Sequence, residues 1–209
     1  MMNTERQKKN FEYELPEHYE ETFHVDAKDK KMGILFNLAA LGVLIVVLAI
    51  IFLTADYSKL GLNSEKDLFL VPLYGFLCVL ALLVYMVLHE LVHGIAYKHQ
   101  TGQKLVFGVS WSCAFCGVPD IYVYRRSALI ALAAPFVTFT TIFLPLTVLF
   151  AFIHTPLYIL FGILLGSHLG GCAGDLYMLY VLLVRYKNKE LLMRDTGPEQ
   201  FLYLPTDRI

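Results

Sequence analysis

The chain has 209 residues, 57% of them hydrophobic and only 17% charged, with a formal net charge of −1. That apolar weight exceeds a soluble domain's, and the balanced charge argues against a general nucleic-acid partner. Little remains outside the long apolar runs, so no separate soluble catalytic domain fits.

Residues 1–31 are charged and mixed in sign, with aromatic residues interspersed. They lack the short apolar core and small-residue cleavage site of a removable signal. They read as a cytoplasmic N-terminal arm ahead of a signal anchor. Four apolar runs follow, Met32–Leu53, Leu68–Leu88, Ala128–Ile153 and Leu157–Val184, the last interrupted by a polar cluster. Each is long enough to cross about 30 Å of hydrocarbon at 1.5 Å per residue. The sequence therefore predicts an all-α polytopic membrane protein, localised to the cell membrane, with about four transmembrane helices. Residues 32–184 form the embedded domain and 185–209 a cytoplasmic tail.

Lys and Arg placement predicts the orientation. Lys28, Lys30 and Lys31 precede the first run, and Lys98, Lys104, Arg125 and Arg126 lie between the second and third. Arg185, Lys187, Lys189 and Arg194 follow the fourth, whereas the opposite side holds only Lys59 and Lys66. Both termini are expected on the cytoplasmic side.

The second run, uncharged from Leu68 to Leu88, leads directly into His89-Glu90-Leu91-Val92-His93. On a helix, residues four apart share a face, so both imidazoles can reach one metal. Glu90 is rotated from that pair but near enough to hold a water on the same ion. An ionisable group inside a bilayer costs about 2.5–3.5 kcal/mol on insertion scales, so an idle glutamate there is not expected.

Beyond this motif, Lys104–Trp111 and Val118–Tyr124 are β-prone stretches around a turn containing Cys113 and Cys116. They read as a short cytoplasmic β-hairpin or re-entrant segment, or as a plain amphipathic connector. An open hairpin edge would accept an unwound substrate segment by strand addition. One C-x-x-C without a second pair is a weak metal signal, and cytoplasmic thiols stay reduced.

A catalytic zinc needs a third protein ligand and an open position. Between Glu90 and Glu190 the only carboxylates are Asp120 and Asp175. Asp120 follows Gly117-Val118-Pro119 and reads as a solvated turn residue. Asp175 lies inside the fourth run, where a carboxylate demands a partner. His89 is nine residues before Lys98 and Asp175 ten before Arg185, about 14 and 15 Å from the helix ends. The depths match. Gly162, Gly166, Gly170 and Gly174 recur every four residues and form a ridge that lets a neighbouring helix approach closely, which supports the same pairing with the second helix. Ser167, Gly171 and Asp175 form the adjacent row, and His168 shares the Asp175 face seven residues back. His168 is thus a candidate oxyanion donor or outer partner of the metal ligands. His99, ten residues after His89, is the competing third ligand, as in the metzincin pattern. Ala96, however, occupies the place where that pattern turns on a glycine. If the helix continues, His99 points away from His93.

With His89, Glu90, His93 and Asp175 assembled, the chain resembles the bacterial putative zincin peptidase family. More distantly it is similar to site-2 intramembrane metalloproteases. The resemblance rests on His89–Gly94, the segment opening at Lys104, Ala134-Pro135-Phe136 and Gly174-Asp175, within roughly residues 68 to 184. It implies that His89, His93 and Asp175 bind zinc and that Glu90 is the base. Around the aspartate this chain reads Ala173-Gly174-Asp175-Leu176, not the Leu-Asp-Gly or Asn-Pro-Asp-Gly of site-2 proteases.

The expected function is zinc-dependent hydrolysis of a peptide bond in or beside the membrane, on a membrane-protein or peptide substrate. The alternative is a non-catalytic membrane protein that binds a metal or partner. Glu90 discriminates, because a pure binding site has no use for an acid at that position. A transporter would show inverted repeats or polar groups in several spans, and the first and third runs carry no charge.

Overall fold

The computed structural model describes residues 10–60, 67, 69–109 and 114–206. In chain order these form strands β1 (Phe11–Glu12) and β2 (Tyr19–Asp26), helix α1 (Lys30–Thr54) and helix α2 (Leu70–Thr101). Strands β3 (Val106–Val109), β4 (Ala114–Gly117) and β5 (Tyr122–Tyr124) follow, then α3 (Arg125–Ile153), α4 (Thr155–Gly171) and α5 (Ala173–Tyr180). A π-helical turn over Val181–Arg185 leads to β6 (Leu192–Asp195) and β7 (Glu199–Pro205).

Three helices, α1 to α3, are long and apolar enough to cross a membrane, and α4 with α5 makes a fourth if the bent pair counts as one span. Their ends follow from local chemistry. Asp29 Oδ1 accepts the backbone N–H groups of Lys31 and Met32, both at 3.0 Å, and so caps the start of α1. At the end of α2, Gly102 takes a left-handed φ of +68° and donates its N–H to the Lys98 carbonyl. That is a conformation glycine adopts without penalty. The helix therefore runs through Ala96 to Thr101 instead of turning after His93. His154 caps α4 by accepting the Leu157 N–H, with Pro156 in the first turn.

The fourth apolar run is not one straight helix as the sequence suggested. It breaks at Cys172, with a bend of 41° between α4 and α5. Gly170 and Gly171 weaken the helix there, and the Cys172 N–H caps onto His168 and Gly170 carbonyls. The seven-residue spacing of His168 and Asp175 thus does not place them on one face of a single helix.

The protein is mostly helical rather than all-α, because both flanks of the chain contribute strands. The chain divides into two compact units: Met1–Gly33 with Glu90–Ala134 and Gly174–Ile209, and Ile34–His89 with Pro135–Ala173. The first contains a five-stranded antiparallel sheet in the order β1-β5-β6-β7-β2. Register aligns Phe11, Val123, Met193, Leu202 and Phe23 across it. The side chains of Val123, Met193 and Leu202 are wholly buried, in one core with Tyr97, Ala131, Leu132 and Met178. The other face is rich in tyrosine, with Tyr19 and Tyr203 buried around Leu192. The expected hairpin exists with a different register. β3 pairs with β4, and Tyr122–Tyr124 joins the larger sheet between β1 and β6. The turn between β3 and β4, with Trp111 and Cys113, lies outside the described residues.

The second unit is helical. In α1 and α2 only 6% of the most apolar stretch is buried, so these surfaces need an apolar surrounding. The glycine ridge of α4 meets α1, not α2. A Cβ on Gly170 would lie 2.6 Å from the Ala40 carbonyl oxygen, and one on Gly166 would press on Leu44 and Val47 at 3.1 Å. Backbone cannot yield as a side chain can. Gly170→Ala is expected to lower stability by about 1–3 kcal/mol, the usual range for overpacking. Gly171→Ala, with nothing within 4 Å of its Cβ, serves as the neutral control in thermal unfolding in detergent.

Candidate metal centre

One face of α2 carries a buried polar row. Tyr85, His89, His93, Tyr97 and Thr101 recur every four residues, and all are at most 9% exposed. Residues around them on other faces, including Leu83, Val87, Leu88, Leu91 and Ile95, are exposed. A stripe of this kind is stable only if each polar group is satisfied.

His93 is held from two directions. Its Nδ1–H donates to the Ala131 carbonyl at 2.9 Å, and its Nε2 lies 3.4 Å from Asp175 Oδ2. The Ala131 acceptor is available for a reason visible in the sequence. Pro135 sits four residues further along α3 and has no N–H to give the usual helical bond. Because a carbonyl only accepts, this bond protonates Nδ1, so Nε2, the nitrogen beside Asp175, is the one that would offer its lone pair to a metal. His89 precedes His93 by one turn of the same continuous helix, and its Nδ1 lies 3.0 Å from the Tyr85 hydroxyl. His89 thus shares the face of α2 that carries His93, and His93 stands beside Asp175. Asp175 stands in the first turn of α5, just past the helix break. Glu90, half-buried in the next position along α2, acts electrostatically on His93.

Two imidazoles one helical turn apart, with a carboxylate 3.4 Å from the second, are a donor set that fits zinc with an open position. The fixed Nδ1 partners agree, since metal-bound histidines donate their other ring N–H to an oxygen.

The remaining candidates are placed as follows. His99 is exposed, in the part of α2 that continues past Ala96. Asp120 is exposed in a turn. Cys116 is buried in β4, where burial and the Asp195 and Glu90 charges push its thiol up to about 12. It is therefore a poor thiolate donor. His168 is wholly buried, with Nδ1 2.9 Å from the Tyr85 hydroxyl and Nε2 3.1 Å from Thr140 Oγ1.

Two groups escape a motif search. Tyr85 lies one turn before His89, where extending the helical row would have found it. Asp195, in β6 far along the chain, accepts from the Tyr97 hydroxyl at 2.6 Å and from the Gly197 N–H at 2.9 Å. Burial raises its carboxyl to about 6 against these two bonds. No local signal marks it, because its environment is made by strand pairing.

Residues 82–190, just over half of the chain, match a family model described as putative zincin peptidase. The chain belongs to that family. The matched stretch includes His89, Glu90, His93 and Asp175, together with Pro135 and Ala131 behind His93. Membership of the zincin peptidases implies zinc and a metalloprotease class of chemistry. No curated protein and no solved structure matches the chain.

Proposed function

We propose that this protein is a membrane-embedded zinc peptidase whose metal is held by His89, His93 and Asp175, with Glu90 as general base. The observation that carries this reading is the 3.4 Å approach of His93 Nε2 to Asp175 Oδ2, one helical turn along α2 from His89. When bound, zinc would polarise the scissile carbonyl and bring the attacking water's pKa towards about 7.

The protein's own groups supply the rest. His93 and His89 present Nε2 because Ala131 and Tyr85 occupy their Nδ1 positions. Glu90 follows His89 directly, so its carboxylate takes the proton of the attacking water and returns it to the leaving amine nitrogen. The apolar surfaces of α1 to α3 favour a substrate in or beside the membrane. Among the described residues β3 pairs with β4 alone, which supports docking of an extended substrate segment along that hairpin. A helical segment must unwind before its carbonyl can meet the site.

The functional test compares membrane fragments in cells carrying the wild type and Glu90→Gln. Fragments made only with the wild type identify substrates. An identical fragment set would remove the peptidase reading.

The orientation proposed places both termini in the cytoplasm, following the Lys and Arg excess. Reporters fused at residue 60 and at the C-terminus should then read opposite sides, the latter cytoplasmic. An external C-terminus would place the site at the other face.

A further inference from the structure

The zinc reading accounts for His93, Asp175, Ala131 and Glu90, but leaves a second polar cluster unused. Tyr85, His168 and Cys172 lie beside His89, and Thr140 stands behind His168. The Tyr85 hydroxyl lies 3.0 Å from His89 Nδ1 and 2.9 Å from His168 Nδ1. His168 Nε2 continues to Thr140 Oγ1 at 3.1 Å, and Cys172 Sγ approaches His168 Nδ1 at 3.5 Å. Phe139 and Phe143 stand edge-on to the Tyr85 ring, with centroids at 5.2 and 5.6 Å. The phenol is thereby held in place.

Ligand atoms of His89, His168 and Cys172 also lie within 4.8 Å of one another, so the cluster has the make-up of a second metal site. The Tyr85 hydroxyl, however, stands at hydrogen-bond distance from both imidazoles. It takes the role an ion would have there.

Resting on the zinc reading above, we infer that Tyr85 is a positioning residue for the His89 ligand, and that His168 acts on the metal only through Tyr85. The direction of every bond follows from one requirement. To offer Nε2 to zinc as a neutral imidazole, His89 must carry its proton on Nδ1. Nδ1–H then donates to the Tyr85 oxygen. The single phenolic hydrogen is left to donate to His168 Nδ1. His168 accordingly carries its proton on Nε2 and donates it to Thr140 Oγ1. The relay locks both the tautomer and the ring angle of His89. With both ring nitrogens engaged, His168 is not an oxyanion donor.

The test measures zinc affinity of the purified full chain by competition with a chromophoric chelator, independently of any substrate. Tyr85→Phe keeps the ring and loses only the hydroxyl. It should bind one zinc per chain about 10–100-fold more weakly, the range for losing an outer hydrogen-bond partner. His168→Ala should weaken binding by a smaller factor, and the double variant no more than Tyr85→Phe alone. His168→Gln keeps an acceptor for Tyr85 and a donor for Thr140, so it should stay near wild type. It also covers the case in which the alanine variant fails to fold. Unchanged affinity in Tyr85→Phe overturns the inference, as does additive loss in the double variant. His93→Ala run in parallel separates the two readings. If it retains zinc, the ligand assignment itself fails. If it loses zinc while Tyr85→Phe binds normally, only the positioning role fails.

Discussion

Glu90→Gln is expected to leave the fold and the bound zinc intact while slowing peptide hydrolysis by about 10²–10⁴-fold, the usual cost of losing a positioned general base. The amide matches the carboxylate in shape but cannot accept the water's proton. Glu90 follows His89 directly on α2, half-buried, and its charge acts on His93. It is therefore close to the proposed metal without being one of its three proposed ligands. Zinc content and cleavage of a membrane substrate are to be measured on the same preparation. Wild-type cleavage by the Gln variant would exclude the zincin mechanism and favour a non-catalytic metal-binding protein. Joint loss of zinc and activity would make Glu90 a ligand or a structural group instead.

The second large effect concerns the ligand set. His93→Ala and Asp175→Ala should each strip the metal, measured as zinc per purified chain, whereas His99→Ala should leave it near one. The pair His93 Nε2 and Asp175 Oδ2 lies 3.4 Å apart, with side chains 9% and 17% exposed. Each alanine removes one of three donors and leaves the other buried with its partner gone. His99 is exposed and six residues beyond His93 on an unbroken helix. Six residues are about one and two-thirds turns, so it faces elsewhere. Zinc lost from the His99 variant but kept by the Asp175 variant would reverse the assignment.

Some of this centre was legible because the information is local. Two histidines four apart on one helix share a face whatever surrounds them. Elimination left Asp175 because carboxylates are rare in that part of the chain. The continuation of α2 past Ala96 was equally readable, since no glycine stops it before Gly102. The bend at Cys172 was less so. The glycines that recur every four residues point to close packing against the second helix, whereas the helix that meets them is α1.

The outer parts of the site depended on contacts between distant residues. Pro135 matters because it frees the Ala131 carbonyl for a histidine 38 positions away. The seven-residue spacing of His168 and Asp175 implies one shared face, and the helix break removes that premise. It reaches the site through Tyr85, 83 residues earlier. The flanks, read as an arm and a tail, pair as strands. Phe23 on one side and Leu202 on the other align in a single register.

By itself, then, the sequence determined the apolar helices, the two-histidine face with its glutamate and the carboxylate worth testing, because periodicity and the cost of charge in apolar surroundings act within one segment. Only the tertiary structure decided which hydrogen bonds orient the imidazoles, which helix meets the glycine ridge and where the flanking strands pair. Those depend on directional contacts between segments far apart in the chain, and no local pattern encodes a direction across space.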